Sequence, residues 1–397
     1  MTRKTNRYLT IDTDAHCGMP LDLFDRYLDP AIRKHPDAPR FVQEADGVTV
    51  FRCGTFQFPR RPPPKPGAGK PNLTPSATFP GPRGGWDPNH RIESFQDAEG
   101  IDRAVCMPFG VMFPSYVQDR ALGNALSQAW NDWLADFCRT HPSRIFGYGV
   151  INIADPQAAA RELRRCVKEL GFPSVVVAPS AVGRKPEDYY ILADEALYPI
   201  WDEAQSLGVP ISIHSFPDPY VPGHEFNGPR RPTGLWDAIG FPTASMNLFG
   251  NLVLGGVCES FPKLRFGMFE CTIGWIPQLL HGIHEYQENF GEYFTRAVPK
   301  MKLTAKEYLQ RQLYFSVEVD DPFIRTFIEW TGAPQNLLYA SDYPHLEYHP
   351  GQIDKLLARA DLSDEEKRGI LGANALEYFC WRDTAMPAVT ERPAAAA

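Results

Sequence analysis

The chain has 397 residues, 43% of them apolar, and a formal net charge of −8. That acidic balance, without a long basic run, excludes nucleic acid as a partner, and no window approaches the ~20 apolar residues that cross a bilayer. Eight cysteines without a Cys-x-x-Cys pair read as the reduced thiols of a cytoplasmic protein, and the opening MTRKTNRYLTID is too polar for a signal peptide.

Short apolar runs alternate with amphipathic segments over most of the length, the pattern of a parallel α/β architecture. In chain order the predicted strands are Tyr8–Ile11, Arg103–Met107, Ile145–Ile151, Ser174–Ala178, Pro210–Ile213, Arg265–Phe269, Leu313–Val317 and Leu337–Ala340. Eight such strands close a (β/α)8 TIM barrel. Helices are predicted between them, among them Leu122–Arg139, Gln157–Leu170, Leu197–Leu207 and Ser245–Cys258. One region breaks the alternation. From His35 to Pro88 a short β-like piece, Val48–Cys53, precedes RRPPPKPGAGKPNLTPSATFPGPRGG. Proline fixes φ and removes a donor, so this stretch is neither helix nor central strand. Residues 35–90 are therefore expected as a Pro-rich insertion after the first strand, a flap over the barrel mouth. They sit within a single domain spanning 1–385, and the tail 386–397 is expected to be disordered.

Asp14 and His16 follow the first predicted strand. Residues i and i+2 of an extended segment share a face, so both can reach one ion. Asp12 is read as a capping or orienting group. His214 ends VPISIH, Glu270 ends LRFGMFE and Asp342 ends NLLYASD. A carboxylate at the mouth of a buried strand has to be paired, hydrogen-bonded or metal-bound, because leaving it bare is costly. Each residue singly has a plainer reading: a turn aspartate, a satisfied core histidine, or a glutamate at a helix N-terminus. Together they terminate strands one, five, six and eight. In a barrel those ends form one face, where catalytic groups collect. Two imidazoles with two or three carboxylates and no thiolate suit one divalent ion, Zn, Mn or Fe. Arg91, before the second strand, is a candidate clamp for a substrate carboxylate. Trp275, Tyr343, Phe216 and His345 are candidates for an aromatic-rich pocket at the mouth.

The pieces IDTDAHCGMP, WDPNHRI, RIFGYGVINIADP, SIHS, FPKLRFGMFECTIGWIP and YASDYPH resemble the amidohydrolase superfamily. The resemblance is to the branch typified by aminocarboxymuconate semialdehyde decarboxylase. It implies a barrel with one divalent ion held by Asp14, His16, His214 and Asp342, a small carboxylic acid substrate met by Arg91, and a homodimer. Two positions depart from the pattern: Asp14 replaces the first histidine of H-x-H, and Glu270 stands where a histidine is usual. The implied reaction is non-oxidative decarboxylation of an aromatic or conjugated acid. Glu270 would deliver or relay the proton, and His345 would sit beside the ligands or in the pocket. The same site allows a hydrolase or hydratase that uses metal-activated water on an amide, lactone or alkene. A barrel that binds metal without turnover is the third reading.

Overall fold

The computed structural model describes residues 3–45, 47–58, 81–108, 114–181, 190–215, 236–345 and 348–381. In chain order the strands are β1 (Ile11–Cys17), β2 (Arg40–Gln43), β3 (Thr49–Cys53), β4 (Phe56–Phe58), β5 (Arg103–Pro108), β6 (Ile145–Val150) and β7 (Ser174–Val177). They continue with β8 (Ser180–Ala181), β9 (Tyr190–Ile191), β10 (Ile211–His214), β11 (Phe266–Phe269), β12 (Leu313–Val317) and β13 (Leu337–Tyr339). Eight of them form one parallel sheet in the order β1-β5-β6-β7-β10-β11-β12-β13. Residues such as Val175, Val176, Ile211 and Ile213 are fully buried. Parallel strands covered on both faces read as continuous apolar runs, which is why seven of the predicted strands fall within a residue of those observed.

The first strand is the exception. The prediction ended it at Ile11, whereas β1 begins there and runs to Cys17. Its polar residues Asp12, Thr13, Asp14 and His16 resemble a loop, yet all seven positions are buried. They are tolerated because Asp12, Thr13 and His16 meet Ser341, the Tyr339 carbonyl and Asp342 where β1 comes round to β13, and Asp14 meets Ser316 of β12.

That seam is not a ladder like the others. Thr13 Oγ1 donates to the Tyr339 carbonyl at 2.9 Å. Asp342 N donates to the Asp14 carbonyl at 2.9 Å, and His16 N to the Tyr343 carbonyl at 2.8 Å. The barrel thus nearly closes, and it does so through residues of the two chain ends.

The intervening helices include Arg120–Arg139, Pro156–Lys168, Tyr198–Leu207, Ile276–Ala297 and Ile324–Thr331. In Pro156–Lys168, Asp155 caps the first turn and Ala159, Leu163 and Cys166 face the strands at helical spacing. The predicted helix Ser245–Cys258 is instead two, Phe241–Val253 and Val257–Ser260. Gly256, at φ 82°, breaks them in a conformation that suits glycine. Of the segment 35–90, residues 59–80 lie outside the described residues, as does the predicted tail. The described remainder holds an antiparallel sheet, β2-β3-β4, and the short helices Arg83–Trp86 and Pro88–Arg91. All eight cysteines are free, seven of them buried and Cys380 exposed. No described helix is long and apolar enough to cross a membrane.

Candidate metal centre

The register of β1 against β5 shifts between Asp12 and Ala15, a bulge of the kind that re-aims side chains next to functional sites. It parts the roles of Asp12 and Asp14, which a regular strand would point the same way. Asp14 and His16 meet: His16 Nε2 lies 3.5 Å from Asp14 Oδ1 and 3.0 Å from Asp342 Oδ1. His214, the last residue of β10, donates from Nδ1 to the Ser215 carbonyl at 2.8 Å. In the neutral ring that bond sets the tautomer and turns Nε2 toward the site, the nitrogen a metal-binding imidazole offers. The same Nε2 is 2.8 Å from Glu270 Oε2. The ligand atoms of Asp14, His16 and His214 lie within 4.8 Å of one another, and so do those of His16, Asp342 and His345. All four sequence-predicted ligands therefore converge, with His16 common to both sets. His345 joins them edge-on to His16, the ring centroids 4.3 Å apart.

The electrostatics fit a cation. Asp14 Oδ1 is buried without a hydrogen-bond partner among the described residues. Its other oxygen accepts from Glu270 N and Ser316 Oγ, both at 3.2 Å. Burial pushes Asp14 up to about 7, opposed by the nearby His214 and reinforced by the Glu270 and Asp12 carboxylates. Burial also holds His16 well below the ordinary imidazole range, helped by His345 and His214, so its ring is neutral. For His214 burial acts downward, but the Glu270 and Asp14 carboxylates outweigh it and its pKa is raised. Buried carboxylate oxygens and a neutral imidazole in one cluster are the donor set of a divalent ion, whose charge offsets the cost of burying them. The site can hold one such ion.

Backbone strain concentrates here. Glu270 (φ 48°), Thr272 (φ 44°) and Asp342 (φ 57°) are three of the four non-glycine residues with positive φ among those described. Such residues persist only where their surroundings hold them, and they cluster at functional sites. Here the left-handed turns bring Glu270 N onto Asp14 and Asp342 N onto the Asp14 carbonyl.

Three other predicted site residues are placed differently. Arg91 is fully buried. Its Nε donates to the Gly84 carbonyl at 3.0 Å and its Nη2 to the His16 carbonyl. The guanidinium lies 5.1 Å from the Tyr343 ring and 5.9 Å from Phe95. It braces the backbone of β1 at His16, while its Nη1 is buried with no hydrogen-bond partner among the described residues. Tyr343 stacks on Phe95 at 3.9 Å, and its hydroxyl fills the space over Gly84 where a Cβ would collide. Trp275 is 5% exposed, and its indole N–H is spent on the Cys271 carbonyl at 2.8 Å. It packs on Phe249 and Phe315 as part of the core. Phe216 lies outside the described residues. Glu270, by contrast, keeps a side chain 30% exposed.

Two residues not singled out from the sequence matter at the site. Ser316, on β12, donates to Asp14 Oδ2 and accepts from Glu270 N at 3.0 Å. Ser341 bonds the Asp12 carboxylate. A polar residue within an apolar strand run, as in LYFSV, is the signal that points to Ser316.

A parallel barrel with imidazoles and carboxylates gathered at the C-terminal strand ends defines the class, a metal-dependent barrel enzyme. Within that class the chain belongs to the amidohydrolase family, whose sequence profile matches residues 74–380. It is 26% identical over 304 residues to a 2-amino-3-carboxymuconate-6-semialdehyde decarboxylase of Dictyostelium discoideum, covering 74% of this chain and 77% of the relative. It is 30% identical over 183 residues to a gamma-resorcylate decarboxylase of Polaromonas sp., covering 45% of this chain and 54% of the relative. Among solved structures it is similar to a 5-carboxyvanillate decarboxylase of Novosphingobium aromaticivorans with bound manganese and 3-methoxy-4-hydroxy-5-nitrobenzoic acid. That likeness has a TM-score of 0.70 at 22% identity, over 95% of this chain and 99% of the other.

Proposed function

We propose that this chain is a divalent-metal-dependent decarboxylase that releases CO2 from an aromatic or conjugated carboxylic acid. The observation that carries the reading is Glu270, a half-buried carboxylate 2.8 Å from His214 and adjoining a cluster of metal-ligating atoms. Asp14, His16, His214 and Asp342 would hold the ion, with manganese favoured by the carboxylate share of the donor set and by the relatives. When bound, the metal supplies positive charge that anchors and polarises substrate oxygens. Glu270 would hold the proton at a carboxyl oxygen and deliver it to the carbon that loses CO2. The carbon–carboxylate bond breaks, its electron pair stays on that carbon, and the new C–H bond takes the Glu270 proton. The Glu270 backbone N–H, donating to Ser316 Oγ at 3.0 Å and to Asp14 Oδ2 at 3.2 Å, fixes the residue in place. His345, beside His16, would border the substrate. Arg91 would serve by holding the His16 backbone. The sequence relatives named above support an acid of this class.

A cytoplasmic homodimer completes the reading. Eight free cysteines suit a reducing compartment. Tyr286 and Phe290 lie exposed on the segment Ile276–Ala297 before its kink at Gly291 and Tyr293 lies exposed beyond it, aromatic side chains suited to a subunit contact. Sedimentation of the purified protein tests the dimer.

The assay for the reaction is incubation of Mn²⁺-loaded protein with a panel of hydroxybenzoates and carboxymuconate-like acids in H₂¹⁸O. The expected result is stoichiometric CO2 and a product with a new C–H bond. Solvent ¹⁸O in the organic product, without CO2, would instead establish a hydrolase or hydratase.

A further inference from the structure

We infer that Asp12 is a positioning residue that ties Ser341 across the barrel seam and thereby sets Asp342 against His16 as one half of the metal site. The inference rests on the metal-site reading above. Asp12 is 0% exposed and lies on β1, while Ser341 follows β13. Asp12 Oδ1 accepts from Ser341 N at 3.0 Å and from Asp14 N at 3.3 Å. Its Oδ2 accepts from Ser341 Oγ at 2.6 Å. The Ser341 hydroxyl, having given its proton to Asp12, accepts from Tyr343 N at 3.0 Å. One carboxylate therefore links the backbone of ligand Asp14 to both residues flanking ligand Asp342.

Asp342 requires that support. Its φ of 57° is a left-handed conformation that is strained for a non-glycine residue, so it holds only where the neighbours fix it. Fixation from the Asp342 peptide itself comes from Asp342 N on the Asp14 carbonyl at 2.9 Å and His345 N on the Asp342 carbonyl at 2.8 Å. Fixation from either side of it comes through Asp12 and Ser341. Between β1 and β13 no regular ladder does this work. Asp12 is thereby distinguished from Asp14: its two oxygens meet three donors, whereas Asp14 Oδ1 has no hydrogen bond among the described residues.

The test uses the full chain with Asp12→Ala, Asp12→Asn, Ser341→Ala and the double variant Asp12→Ala/Ser341→Ala. MnCl2 is titrated by calorimetry and by Mn²⁺ electron paramagnetic resonance, and Tm is recorded with and without Mn²⁺. Wild type is expected to bind one Mn²⁺. Asp12→Ala should weaken that binding by about 10–100-fold, the range for groups that orient metal ligands, and shrink the Mn²⁺-induced rise in Tm. Asp12→Asn keeps an acceptor for Ser341 N and should recover part of the affinity. Ser341→Ala should lose about 10-fold. The double variant should lose little beyond Asp12→Ala, because both changes cut one link. A folded Asp12→Ala that binds Mn²⁺ within about twofold of wild type overturns the inference. So does a lowered apo Tm with the Mn²⁺-induced rise intact, the mark of a purely structural role. If Asp12→Ala does not fold, Ser341→Ala decides, and wild-type Mn²⁺ affinity there overturns the inference. Wild type that binds no Mn²⁺ removes the metal site itself, and this inference with it.

Discussion

On one side of the barrel, from β6 through β7 and β10 to β12, neighbouring strands pair residue by residue in parallel register. On the other, β1 meets β13 through Thr13, Asp12 and Ser341 and through single backbone bonds at Asp14 and His16. A ladder satisfies its backbone groups whatever the side chains are, so its residues need only be apolar and fill space. The seam has no such insurance. Its closure depends on particular polar residues, and these are the residues that form or flank the metal cluster. At the seam the same contacts close the barrel and place Asp14, His16 and Asp342, whereas His214 and Ser316 are carried by ladder strands whose backbone pairing does not depend on their side chains.

Four substitutions bear on that contrast, in descending order of effect. Asp342→Ala removes a ligand candidate at the seam and should abolish both Mn²⁺ binding and CO2 release. Full activity in that variant would dismantle the site. Glu270→Gln should lower kcat about 10²–10⁴-fold, the range for losing a general acid, with Mn²⁺ affinity nearly unchanged. An equal collapse in affinity would make Glu270 a ligand. Ser316→Ala deprives Asp14 Oδ2 of a donor and should cost about 10-fold in Mn²⁺ affinity by titration. Ile145→Val, in the fully buried ladder of β6, should cost only ~0.5–1.5 kcal/mol in denaturant unfolding and leave Mn²⁺ affinity alone. A metal defect from Ile145→Val would erase the distinction between the two sides.

What could be read from the residues divides along the same line. The ladder strands were legible because Ser174–Val177 and its counterparts are short apolar runs bounded by turns, and burial on both faces writes that pattern directly. β1 was not, because its buried polar residues look like a loop until the partners from the far end of the chain are in place. Asp14, His16, His214 and Asp342 stood out by position, since an ionisable residue closing a buried strand demands a partner, and the family resemblance is what joined them into one ligand set. Ser316 carries a signal in the apolar run LYFSV, whereas Ser341, outside such a run, carries none. For Arg91, its place before the second predicted strand does not reveal that two of its guanidinium nitrogens are engaged by the Gly84 and His16 carbonyls. Trp275 follows a strand end but turns inward.

The distribution of thiols has a practical side. With seven cysteines buried and Cys380 exposed, a thiol reagent should find one fast-reacting group on the folded chain and eight after denaturation. Cys17 follows His16 on β1, and Cys271 follows Glu270 after β11. Pulse labelling read by mass spectrometry would therefore time the opening of the site's own walls separately from Cys166 and Cys258 elsewhere, making the chain its own clock for which side of the barrel lets go first.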